Sequence, residues 1–357
     1  MRISIKGLLI AVGMTLTVFS SFQLNQATTL TIGKGAHISM IGGNLGSRMM
    51  NYGHFETELN VRYPENSLVI RNMCDGGDTP GFRPHASRNL PWAFPGAEKF
   101  QSEYANYSNS EGHFDSPDQW LTRLKTDVIV AFFGYSESFQ GPAGLANFKA
   151  ELDAFIKYTQ NQKYNGTSAP QLALVSPIAF EDLTSKYDLP NGVKENANLL
   201  LYTKAMQEVA GQNNVLFVDA FTPSQKWYAD SQEFLTIDGA QLNEEGYKKL
   251  SVLLTDQLFG KTTSKAEANR QLVREAVLEK NWMWHNDYKI PNGVHVYGRR
   301  YNPFGPENYP AEIQKIREMT DIRDKAIWLA ASKGEKTDLA AADKNTTPLP
   351  PVKTNFN

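Results

Sequence analysis

The strongest constraint on this chain is an alternation. Short β-branched or apolar runs at Ala36 to Gly42, Ser67 to Asn72, Asp127 to Phe133, Gln171 to Ser176 and Asn214 to Asp219 each stop at turn residues. Stretches of helical periodicity separate them. Leu145, Phe148, Leu152, Phe155 and Ile156 recur at helical spacing after Pro142, then Leu199, Tyr202, Met206 and Val209, then Tyr247, Leu250, Leu253, Leu254 and Leu258 up to Gly260. Strands that alternate with helices predict a parallel sheet covered on both faces. The expectation is an α/β, doubly wound domain over about residues 30–260.

Three stretches lie outside this rhythm. Arg2 and Lys6 precede an apolar run from Gly7 to Phe19 and then Ser20 and Ser21, the layout of a secretory signal over residues 1–27. That run is shorter than the roughly 20 residues a membrane span needs. The protein is therefore expected to be secreted or periplasmic, touching a membrane only through this segment if it stays uncleaved. Residues 74–120 form a long insertion with little periodicity, carrying Phe82, Trp92, Phe94, Phe100, Tyr104 and Tyr107. Residues 261–332 read as a helical, aromatic-rich extension. Ser264 and Glu267 are spaced as a capping box, Trp282 and Trp284 are expected to pack on the sheet's helices, and a last helix runs around Ala311 to Ala331. Residues 333–357 are polar and Pro-containing, which predicts a flexible linker.

Composition narrows the function. With 36 Lys+Arg against 38 Asp+Glu, the chain has no global positive field to hold a polyphosphate, so nucleic-acid binding by bulk charge is excluded. A single cysteine, Cys74, allows neither an internal disulfide nor a Cys-rich structural zinc site. No cofactor signature stands out, and Gly42 and Gly43 lack the third glycine of a dinucleotide fingerprint. No cofactor and no metal are expected.

In an open parallel sheet, ligands bind beyond the carboxyl ends of the strands. The segments there are Gly42-Gly43-Asn44-Leu45, Asn72 through Asp78, Gly134-Tyr135-Ser136-Glu137-Ser138, and Asp238-Gly239-Ala240-Gln241-Leu242-Asn243 ahead of the last large helix. In this order and at these places the four segments resemble the blocks of the SGNH, or GDSL, hydrolase superfamily of esterases and lipases, over about residues 35–260. The resemblance implies a flavodoxin-like sheet of about five parallel strands and an ester-hydrolase ancestry. The stretch from Arg274 through Trp328 also looks like one found in secreted bacterial SGNH-like proteins, some of which continue into haem-containing dehydrogenase modules.

The resemblance assigns roles residue by residue. Asn44 stands where the family has its nucleophilic serine, and Gly43 replaces the preceding aspartate. Gly77 matches the glycine whose N–H serves the oxyanion hole. Ser136 stands where an asparagine side chain normally assists it. Asp238 keeps the orienting carboxylate, while Gln241 replaces the histidine base. Ser39, within a strand, and Ser47, almost a helical turn later, are not expected to substitute for the nucleophile. An amide has no usable nucleophilic or basic form near neutral pH. In a serine protease, loss of either group costs on the order of a million-fold in turnover. The ordinary acyl-enzyme route is therefore not expected.

Three functional readings follow. In the first, Asn44, Ser136 and Gln241, with Asp75, Asp78, Glu137 and Asp238, line a polar cleft that binds carbohydrate or an acylated small molecule, with loop aromatics stacking on a sugar face. The competing account is that these side chains only satisfy loop backbones. In the second, an esterase acting on acylated carbohydrate survives with a rebuilt site, using His85 or a carboxylate pair such as Glu137 and Asp238. In the third, the C-terminal extension docks a redox or glycan-degrading protein partner.

Overall fold

The computed structural model describes residues 29–85, 88–104, 112–289 and 306–351. The expected signal segment, Tyr107 and the last six residues lie outside these. Five parallel strands, β1 (His37–Gly42), β2 (Val69–Asn72), β3 (Val128–Phe132), β4 (Gln171–Val175) and β5 (Leu216–Val218), form one sheet in the order β2-β1-β3-β4-β5. This is the flavodoxin-like order. Ile38 sits beside Ile70 on one side and Val128 on the other. All five residues of β3 are buried, because both faces of the sheet are covered.

Helices cover both of those faces. In chain order they are α1 (Asn44–Ser47), α2 (Met49–Tyr52), α3 (His54–Arg62), α4 (Pro117–Arg123), α5 (Tyr135–Ser138), α6 (Gly141–Gln160), α7 (Val193–Gln212), α8 (Phe221–Asp230), α9 (Glu244–Phe259), α10 (Arg270–Tyr288), α11 (Tyr309–Lys333) and α12 (Leu339–Ala342). Phe148, Leu152 and Phe155 of α6 and Tyr202 and Met206 of α7 pack with Ile129 and Ala131 of β3. On the other face, Leu59 of α3 and Leu250, Leu254 and Leu258 of α9 pack with Val128, Val130 and Phe132. Alternate residues of one strand thus feed two separate cores. None of the helices within the described residues is long and apolar enough to cross a membrane.

The extension is part of this body, and it does a particular job. β2 is an edge strand, and its even-numbered residues turn their carbonyls away from β1. Four successive outward carbonyls each receive a side-chain donor from α10, its end or α11. Trp328 Nε1 donates to Leu68 O (2.8 Å), Lys280 Nζ to Ile70 O (3.1 Å), Trp284 Nε1 to Asn72 O (2.8 Å), and Lys289 Nζ to Cys74 O (2.6 Å). A row of unpaired backbone groups would otherwise cost free energy and invite another strand. Buried ion pairs flank this row, Lys280 to Glu56 at 2.7 Å and Arg71 to Asp324 at 2.5 Å.

Several expectations are corrected. Ser264 and Glu267 form no capping box. Helix α10 starts at Arg270, the Glu267 carboxylate is taken by the Arg270 guanidinium at 2.6 Å, and the Ser264 hydroxyl donates to Val61 O. Trp284 is buried as expected, but Trp282 is 65% exposed, because two positions along a helix point to different faces. Residues 334–351 are not a free linker. They carry α12 and fold back on α11, where Arg323 pairs with Asp343 (2.9 Å) and Lys315 bonds Thr346 (2.5 Å).

Lys280 is completely buried and bonded to three acceptors, Glu56, Ile70 O and Asn281. Lys280→Met is expected to destabilise the fold by about 3–5 kcal/mol, because it strands the Glu56 charge. Adding Glu56→Leu should recover most of the loss. Denaturant unfolding measures both variants, and a single-variant loss under about 1 kcal/mol would contradict this role.

Candidate functional site

The crevice is set by where the strands end. β1 stops at Gly42, with φ +108°, where a Cβ would lie 2.1 Å from Phe132 O, so only glycine can make this turn. Gly43 then caps α1, and Asn44 is its first residue, standing at the position the resemblance assigns to the nucleophile. From the opposite wall, the segment before α9 is held by the buried Glu181. Its carboxylate accepts from Leu235 N, from Thr236 N (2.7 Å) and from Thr236 Oγ1 (2.6 Å). Gly239, with φ +87°, packs where a Cβ would meet the Phe180 ring at 2.3 Å. Asp238 Oδ1 accepts from Ala240 N (3.0 Å) and Gln241 N (2.7 Å), closing a tight turn that presents Gln241.

The two walls meet through a chain of amides. Gln241 Nε2 donates to Asp238 Oδ2 at 2.7 Å, and Asn44 Nδ2 donates to Gln241 Oε1 at 3.0 Å. The three positions to which the resemblance assigns nucleophile, base and orienting acid are therefore brought together and linked in one donor-to-acceptor direction, with carboxamides at the first two. Neither excluded serine competes. Ser39 is buried and bonded to Thr126 at 2.7 Å, and Ser47 ends α1.

Beside Asn44 is a cavity of about 20 Å³ lined by Gly43, Asn44, Leu45, Asp78, Tyr135, Ser136, Glu137 and Ser176, among others. It accommodates roughly one water-sized group. Glu137 Oε2 accepts from Gly134 N at 2.9 Å, fixing the turn that carries Tyr135 and Ser136, while Oε1 is buried without a partner. Burial pushes the Glu137 carboxyl up to about 8, against the backbone N–H groups of Glu137 and Gly134, and Glu151 pushes the same way. Asp78 is also buried, and its carboxyl is pushed well above the usual range by burial despite Arg83 and Arg88. Gly77, with φ +91°, and Gly76 form the exposed turn after β2, and a Cβ on Gly76 would lie 4.0 Å from Asn44 Oδ1. Asp75 pairs with Lys289 at 3.0 Å at its edge.

Other expected site residues are elsewhere. His85 does not reach the crevice. It is buried, stacked on Phe114 at 3.8 Å and edge-on to Tyr288, held in the core by aromatic packing. Glu137 and Asp238 do not pair, since Asp238 is spent on Gln241 and the charge acting on Glu137 is Glu151. Among the described residues, none of the insertion's Phe82, Trp92, Phe94, Phe100 or Tyr104 lines the cavity. Phe82 and Phe94 are buried, and the exposed Tyr104 lies flat on Phe82 at 4.8 Å. An exposed aromatic that pattern reading overlooked lies against the cavity-lining Tyr135: Phe139 is 72% exposed and sits edge-on to that ring at 5.4 Å. Its signal was its place directly after the third segment and before the Pro142 helix start. Glu181 was also missed, since nothing local marks a carboxylate that anchors a loop 54 residues away. Among the described residues, no group of three or more His, Cys, Asp or Glu is placed to hold a metal ion.

The raised Glu137 carboxyl has a consequence for stability. Its cost is absent below about pH 4.5, where folded and unfolded chains both hold the proton. It grows as pH rises and is complete above about 8. Glu137→Gln, which can still accept from Gly134 N, should match the parent near pH 4 and exceed it by on the order of a few kcal/mol near pH 9. Unfolding free energies across pH check this, and a gap independent of pH would contradict it.

No protein-family model and no curated protein matches the chain. Solved structures do. One is a GDSL-like lipase from Parabacteroides merdae, at 12% identity and TM-score 0.45, covering 64% of this chain and 98% of that one. Another is a catalytic mutant of Axe2, an acetylxylan esterase from Geobacillus stearothermophilus, at 14% identity and TM-score 0.43, covering 64% and 96%. A third is LAE5, an alpha/beta hydrolase from the metagenome of Lake Arreo, at 13% identity and TM-score 0.43, covering 63% and 96%. The β2-β1-β3-β4-β5 order, with the four segments gathered at the strands' carboxyl ends, is that of a flavodoxin-like doubly wound α/β fold.

Proposed function

We propose that this protein is a non-hydrolytic binder of carbohydrate or acylated glycan, acting outside the cytoplasm from the crevice of a former ester hydrolase. The observation that carries the reading is the Asn44–Gln241–Asp238 chain. Attack on an acyl carbon needs an oxygen or sulfur that can lose its proton and a base to take it, and two carboxamides provide neither. What carboxamides and carboxylates do well is exchange paired hydrogen bonds with hydroxyl groups. Phe139, exposed beside the cavity-lining Tyr135, adds an apolar face of the kind on which a sugar ring stacks. The charged start and apolar run before Ser20 support export.

The rebuilt-esterase reading loses its base, because His85 is locked against Phe114. The full chain is expected to hydrolyse a chromogenic acetyl ester no faster than buffer. Asn44→Ser alone and Gln241→His alone should stay inactive. The double variant should gain at least about a hundredfold, since it places hydroxyl and imidazole on geometry already directed at Asp238. Parent turnover abolished by Asn44→Ala or His85→Ala would overturn the proposal.

A further inference from the structure

The extension holds one large ring in solvent. Of the six tryptophans, Trp120 and Trp284 are buried, Trp92, Trp227 and Trp328 are half-buried, and Trp282 alone is exposed. His285, three residues on along α10, lies nearly parallel to it, at 8° and 6.3 Å between centroids. The two rings give the end of α10 a flat aromatic face.

That face stands at the end of a surface that begins in the crevice. Asn44 Oδ1 looks onto the exposed Gly76–Gly77 turn, where a Cβ on Gly76 would lie 4.0 Å from it. Asp75, the residue before this turn, pairs with Lys289 at 3.0 Å, and both charges act on the His285 imidazole. Gly76 is a glycine the fold does not demand. Its backbone lies outside the left-handed region that Gly77 occupies, and an added Cβ would make only that one ordinary contact. A bare backbone here leaves the way from Asn44 to His285 clear of side chains.

We propose that Trp282 and His285 are a stacking platform for one sugar ring of an extended glycan whose other end enters the crevice beside Asn44. This rests on the carbohydrate reading of the crevice and deepens it: the ligand is a chain of several sugars, and the extension supplies its distal subsite.

The surroundings select this occupant. A protein or lipid surface docks on contiguous apolar area of several hundred Å². Among the described residues, Trp282 is the only large apolar side chain of α1, α2, α10 or α11 that is exposed. Asn286 donates to Trp282 O at 2.8 Å beside it, and the Asp75–Lys289 pair neutralises itself. Burial and Lys289 hold the His285 imidazole below its usual range, against Asp75, so both rings are uncharged at neutral pH. A lone ring with polar neighbours and no net charge suits an uncharged pyranose, which lays its C–H face on the ring and turns its hydroxyls to the flanking groups.

The test is calorimetric titration of the full chain with chitobiose and with chitohexaose. The parent should bind the hexaose at least about tenfold more tightly. Trp282→Ala should cut that advantage to about threefold or less without moving the affinity for chitobiose, and Trp282→Tyr should retain it. Gly76→Gln, which sets a side chain across the way, should also reduce it. Equal affinity of the parent for both probes, an advantage that survives Trp282→Ala, or a Trp282→Ala loss shared equally by both probes overturns the platform and leaves the carbohydrate reading standing. Sedimentation with phosphatidylglycerol vesicles, or a dimer in ultracentrifugation, that disappears in Trp282→Ala would give the ring a different occupant and overturn the platform as well. Failure of the parent to bind either sugar overturns both.

Discussion

A carboxylate accepts hydrogen bonds and donates none, and this sets the direction of every bond from Asp238 to the mouth of the crevice. Because Asp238 takes the Gln241 Nε2–H, the carbonyl of Gln241 must face Asn44, and Asn44 must give its amide hydrogen. Asn44 Oδ1 is left toward the Gly76–Gly77 turn. A triad of serine, histidine and aspartate has the same polarity, which is why the amides fit its sites. The proposed reading keeps that order without the chemistry, because neither carboxamide can exchange a proton near neutral pH.

The frame that holds these groups depends on an unusual use of side chains. β2 has no neighbour beyond it, yet its outward carbonyls at Ile70 and Asn72, and those of Leu68 and Cys74 flanking it, are occupied by Lys280, Trp284, Trp328 and Lys289. Two helices thus stand in for a sixth strand. The last of these donors, Lys289, also pairs with Asp75, which connects the edge seal to the turn bearing Gly76, Gly77 and Asp78. The extension and the crevice are mechanically one unit, so a truncation after α9 would expose the strand edge and loosen that turn.

Much of the fold was legible because its signals are local. Each strand lies within two residues of its apolar run, and α6, α7 and α9 follow their helical spacing. The crevice segments were found by their places after strands and before the last large helix, and two substituted positions, Asn44 and Gln241, do meet the retained Asp238. What was not legible depends on contacts between distant parts of the chain. His85 looked like a free loop base, but Phe114 and Tyr288 enclose it. The insertion's aromatics looked available for a ligand, but Phe94 belongs to the core around Trp120 and Phe155, and Trp92 and Phe100 pack against it. Lys280 reads as one more charge on a charged helix, and only Glu56, 224 residues away, makes it a buried ion pair. The size of the cavity, too, is a property of packing that no motif encodes.

The central claim is that the crevice contains no nucleophile able to accept an acyl group. Incubating the full chain with a fluorophosphonate, which phosphonylates activated serines irrespective of substrate preference, and measuring its intact mass tests this directly. The account predicts an unchanged mass. A single adduct mapped to a serine in the crevice would contradict it.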